Sequence, residues 1–191
     1  MSDKKLTQKN WSSWHHKLHK EILSKKKLIP KGSNILISVS GGQDSMALLT
    51  LINDLKKLYD WSISVWHGDH QWHDKSSLYA LELKSYCEGK NIAFYFDQAN
   101  KENIFSEEKA REWRYKKLCE RAKILLKKNL LKKNLPKKNI YLLTGHTSSD
   151  NAETFILNLS RGSNFAGLSN IEYKRLLENQ IFLIRPILIF S

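Results

Sequence analysis

The sequence predicts an α/β fold in which a parallel sheet is flanked by helices. Short apolar runs alternate along the chain with longer segments in which apolar residues recur every three or four positions. The first pattern is typical of buried strands and the second of amphipathic helices. Alternation of the two favours right-handed crossovers between parallel strands. A length of 191 residues with 41% hydrophobic content is that of one globular domain.

Each predicted element follows from its own residues. The first is a helix over 11–28, because Trp11, Trp14, Leu18 and Ile22 recur on one face. The later elements, in chain order, are a strand beginning at Ile35, a helix after a glycine turn, a strand at 61–67, a helix at 74–88 closed by Gly89, a strand at 92–96, a helix at 106–127, a strand at 140–144 and a helix at 150–160. Ligands of such sheets bind beyond the carboxyl ends of the strands.

The segment from Ser40 to Ser45, which reads Ser-Gly-Gly-Gln-Asp-Ser, links the first strand to the next helix. Adjacent glycines let backbone amides approach an anion, and a helix N-terminus adds unpaired N–H groups, so phosphate is the expected ligand. The loop matches neither the Walker A sequence nor the G-x-G-x-x-G fingerprint. A glycine turn capped by Asp44 or Ser45 is the purely structural alternative.

Two further segments follow strands at the same predicted edge. The first reads His67-Gly68-Asp69-His70, whose aspartate could hold magnesium while its histidines could contact adenosine or form local hydrogen bonds. The second runs from Gly145 to Thr154 and includes His146, Asp150 and Glu153. Asp150 could equally cap the helix that follows. The three segments together indicate a site more strongly than any of them alone.

The net charge of +13 is concentrated in two blocks. Residues 1–32 contain nine lysines against two acidic residues, and residues 109–139 contain thirteen lysines or arginines against two acidic residues. Such clustering is expected for a nucleic-acid footprint, although a solvated lysine-rich surface would look the same. A five-residue lysine repeat over 125–139 is interpreted as a helix extension running into a loop.

Cysteine content and hydropathy favour a reduced, cytoplasmic setting. Cys87 and Cys119 form no C-x-x-C pair, zinc spacing or disulfide framework. The apolar run from Ile181 to Phe190 is interrupted by Arg185 and Pro186, and the lysine-rich N-terminus has no apolar signal-peptide core. We therefore expect no membrane association.

The Ser40–Ser45 loop resembles the pyrophosphate loop of the PP-loop ATP pyrophosphatases, which have a Rossmann-like adenine-nucleotide alpha-hydrolase fold. The wider set of motifs resembles the tRNA(Ile)-lysidine synthases of that superfamily, over roughly residues 33–188. The segments that carry the resemblance are Ser40 to Ser45, Asp69-His70, Glu107 to Tyr115, Gly145 to Ser163, and Gly167-Leu168 through Arg185-Pro186.

The resemblance implies an ATP-dependent ligase for tRNA modification. Its members join free L-lysine to C2 of the wobble cytidine (position 34) of the CAU-anticodon tRNA(Ile), through an adenylated cytidine, and release AMP and pyrophosphate. Decoding then changes from AUG to AUA, and charging from methionine to isoleucine. ATP and Mg²⁺ are the implied cofactors. The partners are this tRNA and lysine, with a homodimer left open.

The resemblance also implies roles for individual residues. ATP would be bound by Ser40, Gly41, Gly42, Gln43, Asp44, Ser45, His67 and His146. Asp44, Asp69 and Asp150 are the candidate catalytic residues and magnesium ligands. Arg111 and Arg114, three positions apart on one helix, would contact tRNA, with surface ion pairs to nearby glutamates as the alternative. His70 and Glu153 would support the residues that touch substrate.

Some positions depart from the family pattern. Thr147 and Ser149 stand where a second histidine and a paired aspartate are frequent, and His73 stands where arginine is frequent. We expect a basic helix in 1–32 packed on a catalytic domain of 33–191, without the family's C-terminal tRNA-binding domains. A truncated domain that binds ATP or tRNA without turnover, or another PP-loop tRNA-modifying enzyme, is the alternative function.

Overall fold

The computed structural model describes residues 11–25, 28–72, 76–100, 106–130, 139–160 and 171–190. In these ranges the helices are α1 (Ser13–Ser24), α2 (Gln43–Tyr59), α3 (Ser76–Gly89), α4 (Glu107–Leu130) and α5 (Ser148–Ser160). The strands are β1 (Asn34–Ser38), β2 (Ser62–Asp69), β3 (Ala93–Gln98), β4 (Ile140–Thr144), β5 (Lys174–Glu178) and β6 (Ile181–Ile184). His73, residues 1–10, most of the repeat over 125–139 and residues 161–170 lie outside the described ranges.

The strands form one sheet in the order β3-β2-β1-β4-β6-β5. All neighbours pair in parallel except β5, which pairs antiparallel with β6 at the edge. The prediction of a parallel sheet flanked by helices is confirmed. The antiparallel edge strand was not predicted, since residues 174–178, which read Lys-Arg-Leu-Leu-Glu, show no alternation of apolar and polar residues.

Alternate residues of the central strand pack on opposite faces of the sheet, as the period of two in a strand requires. Ile35 and Ile37 of β1 join one apolar cluster with residues of α1, α2 and α3, whereas Leu36 joins a second cluster with Leu118 and Ala122 of α4. All five side chains are nearly inaccessible to solvent. The sheet therefore has a helical layer on each face, and the carboxyl ends of its parallel strands share one edge.

Most predicted boundaries needed adjustment by a few residues. The first helix spans Ser13–Ser24 rather than 11–28, and Trp14 on its predicted buried face is 44% exposed. The second strand extends to Asp69, so this aspartate is the last residue of a strand and not part of a following loop. The helix after the third strand continues to Leu130, which agrees with the predicted extension. The strand over 140–144 is as predicted.

Candidate active site

A cleft of about 1660 Å³ opens at the carboxyl ends of β1, β2, β4 and β6. It is bordered by the glycine loop, the end of β2, the start of α4 and the start of α5. Of the residues predicted for the site, Gly41 alone is not among those that line it. The predicted residues on the cleft wall are Ser40, Gly42, Gln43, Asp44, Ser45, His67, Asp69, His70, Arg111, Arg114, His146, Asp150 and Glu153.

The glycine loop has the geometry of an anion-binding turn. Gly41 has a φ of +92°, a conformation that L side chains rarely adopt. Gly42 is the N-cap of α2 and supplies no side chain to the free N–H groups of the first turn. The Ser45 hydroxyl donates to the Gly42 carbonyl at 2.8 Å and lies 3.2 Å from the Ser40 hydroxyl. The first turn of α2 thus presents backbone donors and a positive dipole end to the cleft.

Asp44 and Asp69, the first two predicted acidic residues, sit in opposite environments. Asp44 is exposed in the first turn of α2. Asp69 is only 3% exposed, and its carboxylate accepts hydrogen bonds from the Gln71 backbone N–H at 2.7 Å and the Gln98 amide at 3.3 Å. Asp69 therefore fixes the turn after β2, where Gln71 adopts a φ of +57°.

Asp150 caps the helix that contains it. Its Oδ2 accepts from the Thr147 backbone N–H at 2.6 Å and from the Thr147 hydroxyl at 3.0 Å. The first of these bonds is one half of a capping box, in which the side chain of the third helical residue accepts from the N-cap amide. The structural role considered for Asp150 is present, and the side chain lines the cleft at the same time.

Two histidines of the cleft are fixed by hydrogen bonds. His67 is buried, and its Nδ1 donates to the Val39 carbonyl at 2.7 Å, because a carbonyl oxygen can only accept. His146 Nδ1 lies 2.9 Å from the Thr144 hydroxyl. Burial, and then the nearby charge of Arg185, lower the pKa of His146 to about 4. His146 is therefore neutral near pH 7.

His70 lies within an aromatic group beside the cleft. Its ring is 5.2 Å from that of Trp72 and 5.1 Å from that of Trp113, measured between centroids. Burial, with the charge of Arg114 as the next cause, lowers the pKa of His70. Trp72 is 50% exposed at the cleft wall. His70 thus connects the turn after β2 to α4.

Arg111 and Arg114 both reach the cleft from the first half of α4. Arg111 is exposed and lies 5.8 Å from the Tyr115 ring centroid, whereas burial lowers the pKa of Arg114. In the described part of the chain neither arginine forms an ion pair, and Glu112 pairs with Lys109 instead. The alternative of surface ion pairs with nearby glutamates is therefore not observed.

Arg185 was not assigned a role from the sequence. It follows β6, lines the cleft and is 5% exposed. The sequence feature that could have identified Arg185 was its position directly after an apolar strand, at the edge of the sheet where the other site segments converge. The strand that precedes it lies within the segment from Ile181 to Phe190, which the sequence analysis treated only as an apolar run.

No described helix has the length and hydropathy needed to cross a membrane. Among the described residues, no group of three or more acidic, histidine or cysteine side chains is arranged to hold a metal ion. Cys87 is buried and Cys119 is half-buried, and both are free thiols. Burial raises the pKa of Cys87 to about 11.

Residues 13–191 match the PP-loop domain family. The chain belongs to this family. The resemblance to the PP-loop ATP pyrophosphatases is therefore confirmed at the level of the family.

The chain is also similar to curated tRNA(Ile)-lysidine synthases. It is 70% identical over 191 residues to that of Prochlorococcus marinus subsp. pastoris, and 49% identical over the same length to that of another Prochlorococcus marinus strain. The whole of this chain is covered in both cases, but only 55% of each relative. The synthase of Parasynechococcus marenigrum is 40% identical over 185 residues, with 95% of this chain and 51% of the relative covered. The chain thus spans about half the length of these relatives.

Among solved structures, the chain is similar to a U34-tRNA thiolase, NcsA, from Methanococcus maripaludis, which was determined with its 4Fe-4S cluster. The TM-score is 0.63 at 16% identity, with 93% of this chain and 59% of the other covered. At this level of identity the similarity supports the PP-loop fold alone.

Proposed function

We propose that this chain carries the ATP-using catalytic part of a tRNA(Ile)-lysidine synthase. The reaction joins free L-lysine to C2 of the wobble cytidine in the CAU-anticodon tRNA(Ile). The observation that carries the proposal is the convergence on one cleft of the PP-loop, an acidic helix start and two arginines that form no ion pair in the described part of the chain. The name shared by relatives up to 70% identical supplies the substrate class.

The PP-loop would bind the phosphates of ATP. Backbone N–H groups at the start of α2 and the hydroxyls of Ser40 and Ser45 are the donors, and the open space at Gly41 lets a phosphate approach the backbone. Gln43 is the first residue of α2, so its backbone N–H belongs to the same set. His67 and His146 are proposed to contact the nucleotide from the neighbouring strand ends.

A magnesium ion fits at Asp44 and less well at Asp69. Mg²⁺ is commonly held by one or two carboxylates together with substrate phosphates, and Asp44 is an exposed carboxylate beside the phosphate loop. The two oxygens of Asp69 already accept hydrogen bonds from the protein. When bound, the ion would neutralise phosphate charge. Asp150, with one oxygen engaged in capping, is the third candidate ligand.

The proposed chemistry needs no protein nucleophile. The C2 carbonyl oxygen of cytosine attacks the α-phosphorus of ATP with loss of pyrophosphate, and an amine of lysine then attacks C2 with loss of AMP. The amine must lose a proton, for which Asp150 is the leading candidate, since Asp69 is buried and doubly hydrogen-bonded. Glu153 lies one turn further along the same wall. The remaining tasks are positioning and charge stabilisation.

Arg111 and Arg114 are proposed to contact the tRNA. They form no ion pair among the described residues and face the cleft, as expected for groups that meet phosphate or an exposed base. Exposed aromatic rings at Trp72 and Tyr79 line the same wall. Arginines interspersed with exposed rings are typical of single-stranded RNA sites. A cytoplasmic location is part of this proposal and is compatible with a tRNA substrate.

The alternative functions make different demands on the chain. Thiolating PP-loop enzymes use cysteines as persulfide carriers or cluster ligands, whereas Cys87 is buried with a raised pKa and far in sequence from Cys119. A domain that binds ATP or tRNA without turnover would retain nucleotide binding but transfer no lysine. The relatives' greater length makes this the alternative to test first.

The deciding experiment is incorporation of labelled lysine into CAU-anticodon tRNA(Ile) with ATP and magnesium. Asp44→Asn is compared with Asp60→Asn, which removes the same charge from the opposite end of α2 at an exposed position whose φ of 55° suits asparagine. We expect incorporation by the unmodified chain and by Asp60→Asn, and its loss in Asp44→Asn. ATP binding without incorporation would instead support the binding-only alternative.

A further inference from the structure

Arg185 is a buried cation without an acidic partner in the described part of the chain. Its side chain is 5% exposed, and none of the ion pairs between described residues includes it. Nη1 donates to the Glu172 carbonyl at 2.6 Å, while Nε is buried without a hydrogen-bond partner among the described residues. A buried guanidinium left without a counter-charge costs several kcal/mol. Retention of such a group at a cleft wall indicates that an anion completes it.

The anion that Arg185 could meet is distinct from the one expected at the PP-loop. Arg185 follows β6, while the PP-loop follows β1, and β4 lies between these two strands. Neighbouring strands are about 4.8 Å apart, so the two strand ends are roughly 10 Å apart across the sheet. The PP-loop has its own donors from the start of α2. Arg185 therefore marks a second anionic position in the same cleft.

Two carboxylates of α5 line the same cleft as Arg185. Asp150 and Glu153 line the cleft, and His146, which is neutral near pH 7, feels the charges of both Arg185 and Asp150. One cation and two carboxylates on neighbouring walls complement a ligand that carries both signs of charge. A free amino acid has a carboxylate and an ammonium group, whereas ATP and the tRNA backbone carry only negative groups near their reacting atoms.

We propose that Arg185 binds the α-carboxylate of the free amino acid substrate, with the acidic residues of α5 facing its ammonium groups. The inference rests on the proposed function, which supplies lysine as the substrate, and adds the group by which the chain distinguishes an amino acid from a simple amine. Arg185 is thus a residue of substrate selection.

The test compares lysine with lysinamide, in which a neutral amide replaces the carboxylate. Equilibrium dialysis measures binding of each to the whole chain with a non-hydrolysable ATP analogue and magnesium. We expect the unmodified chain to prefer lysine by roughly tenfold or more, the range of a hydrogen bond to a charged group. Arg185→Gln should bring the ratio of the two affinities close to one, and Arg185→Lys should retain part of the preference for lysine.

Arg175→Gln is the matched control. It removes an arginine that also lines the cleft but is exposed on β5, so its general electrostatic effect is similar, and the lysine preference should persist. If Arg185→Gln does not fold, the ratio of lysine affinity to lysinamide affinity in the unmodified chain and in Arg185→Lys still tests the inference. A ratio near one in the unmodified chain, or absence of lysine binding, overturns the inference.

Two other outcomes separate this inference from the proposed function. Weakened binding of the ATP analogue in Arg185→Gln with an unchanged lysine preference would place Arg185 on the nucleotide and overturn the inference. Lysine preference that depends on Arg185, in a chain that transfers no lysine to tRNA, would support the carboxylate site while the proposed ligase activity fails.

Discussion

Gly145 packs against the backbone of Ser45. A Cβ at Gly145 would lie 3.0 Å from both the Cα and the N of Ser45, in the first turn of α2. The segment after β4 therefore supports the PP-loop directly, and the hydrogen of glycine is what permits this approach. Two of the three segments singled out in the sequence are in contact through this pair.

Gly145→Ala should weaken nucleotide binding more than it lowers stability. The added methyl group meets backbone atoms, so the start of α2 must shift by a few tenths of an ångström and its N–H groups move away from the phosphate position. We expect a roughly tenfold loss of ATP affinity, which corresponds to about 1.4 kcal/mol of binding free energy. Titration calorimetry measures this change. Gly89→Ala is the control, because nothing lies within 4 Å of a Cβ there. Equal ATP affinity in the two variants would contradict this account.

Gly68→Ala should destabilise the fold. A Cβ at this position would overlap the Trp66 ring and lie 2.8 Å from Trp113 Cζ3. Overpacking of this kind typically costs about 1–3 kcal/mol, measurable by urea unfolding. Ser62→Ala, at an exposed position of the same strand, is the control.

A double variant tests whether the loss of stability comes from the overlap with the Trp66 ring. Gly68→Ala combined with Trp66→Leu should cost less than the sum of the single changes, because removal of the overlapping ring makes room for the methyl group. Strict additivity would show that the penalty at Gly68 has another source.

Sequence reasoning predicted the parallel sheet, and thirteen of the fourteen residues that it predicted for the site line the cleft, because both predictions depend on local signals. Apolar runs identify strands, and the PP-loop combines glycines with a helix start, so Ser40 to Ser45 were found without knowledge of long-range contacts. Arg185 was not predicted because its burial without an ion-pair partner among the described residues arises only when β6 pairs beside β4. The double hydrogen bonding of Asp69 depends in the same way on Gln98 from the neighbouring strand.

Acid should destabilise the protein through His146. Its pKa is about 4 in the folded chain and near 6.5 when unfolded, so between these values the unfolded state binds a proton that the folded state does not. The free energy of unfolding therefore falls as the pH is lowered from about 7 to 4, by about 3 kcal/mol at most for this group. Arg185, Arg111 and Arg114 oppose protonation and Asp150 favours it.

His146→Gln should make stability less sensitive to acid over this range, measured by urea unfolding at several pH values. His16→Gln, which removes an exposed histidine of α1, controls for the loss of one imidazole. The same acid sensitivity in His146→Gln as in the unmodified chain would contradict the assignment.

Asp150 has a capping role and a proposed catalytic role, and two substitutions separate them. Asp150→Asn retains an oxygen that can accept from the Thr147 N–H, so stability should change little, whereas Asp150→Ala should cost about 1 kcal/mol through loss of the cap. Lysine incorporation should fall by roughly a hundredfold or more in both, as expected when a general base is removed. Substantial activity in Asp150→Asn would restrict this residue to capping.

Arg111 and Arg114 should contribute to the salt dependence of tRNA binding. Each phosphate contact releases counterions, so the logarithm of affinity falls linearly with that of salt concentration, with a slope change of roughly one for each contact removed. Arg111→Gln combined with Arg114→Gln should therefore flatten the slope by up to about two in filter-binding titrations. The matched control, Lys57→Gln with Lys90→Gln, removes the same charge from exposed positions that do not line the cleft. We expect the control slope to stay close to that of the unmodified chain. An equal change in both pairs would mean that net charge, and not the position of the two arginines, determines the affinity for tRNA.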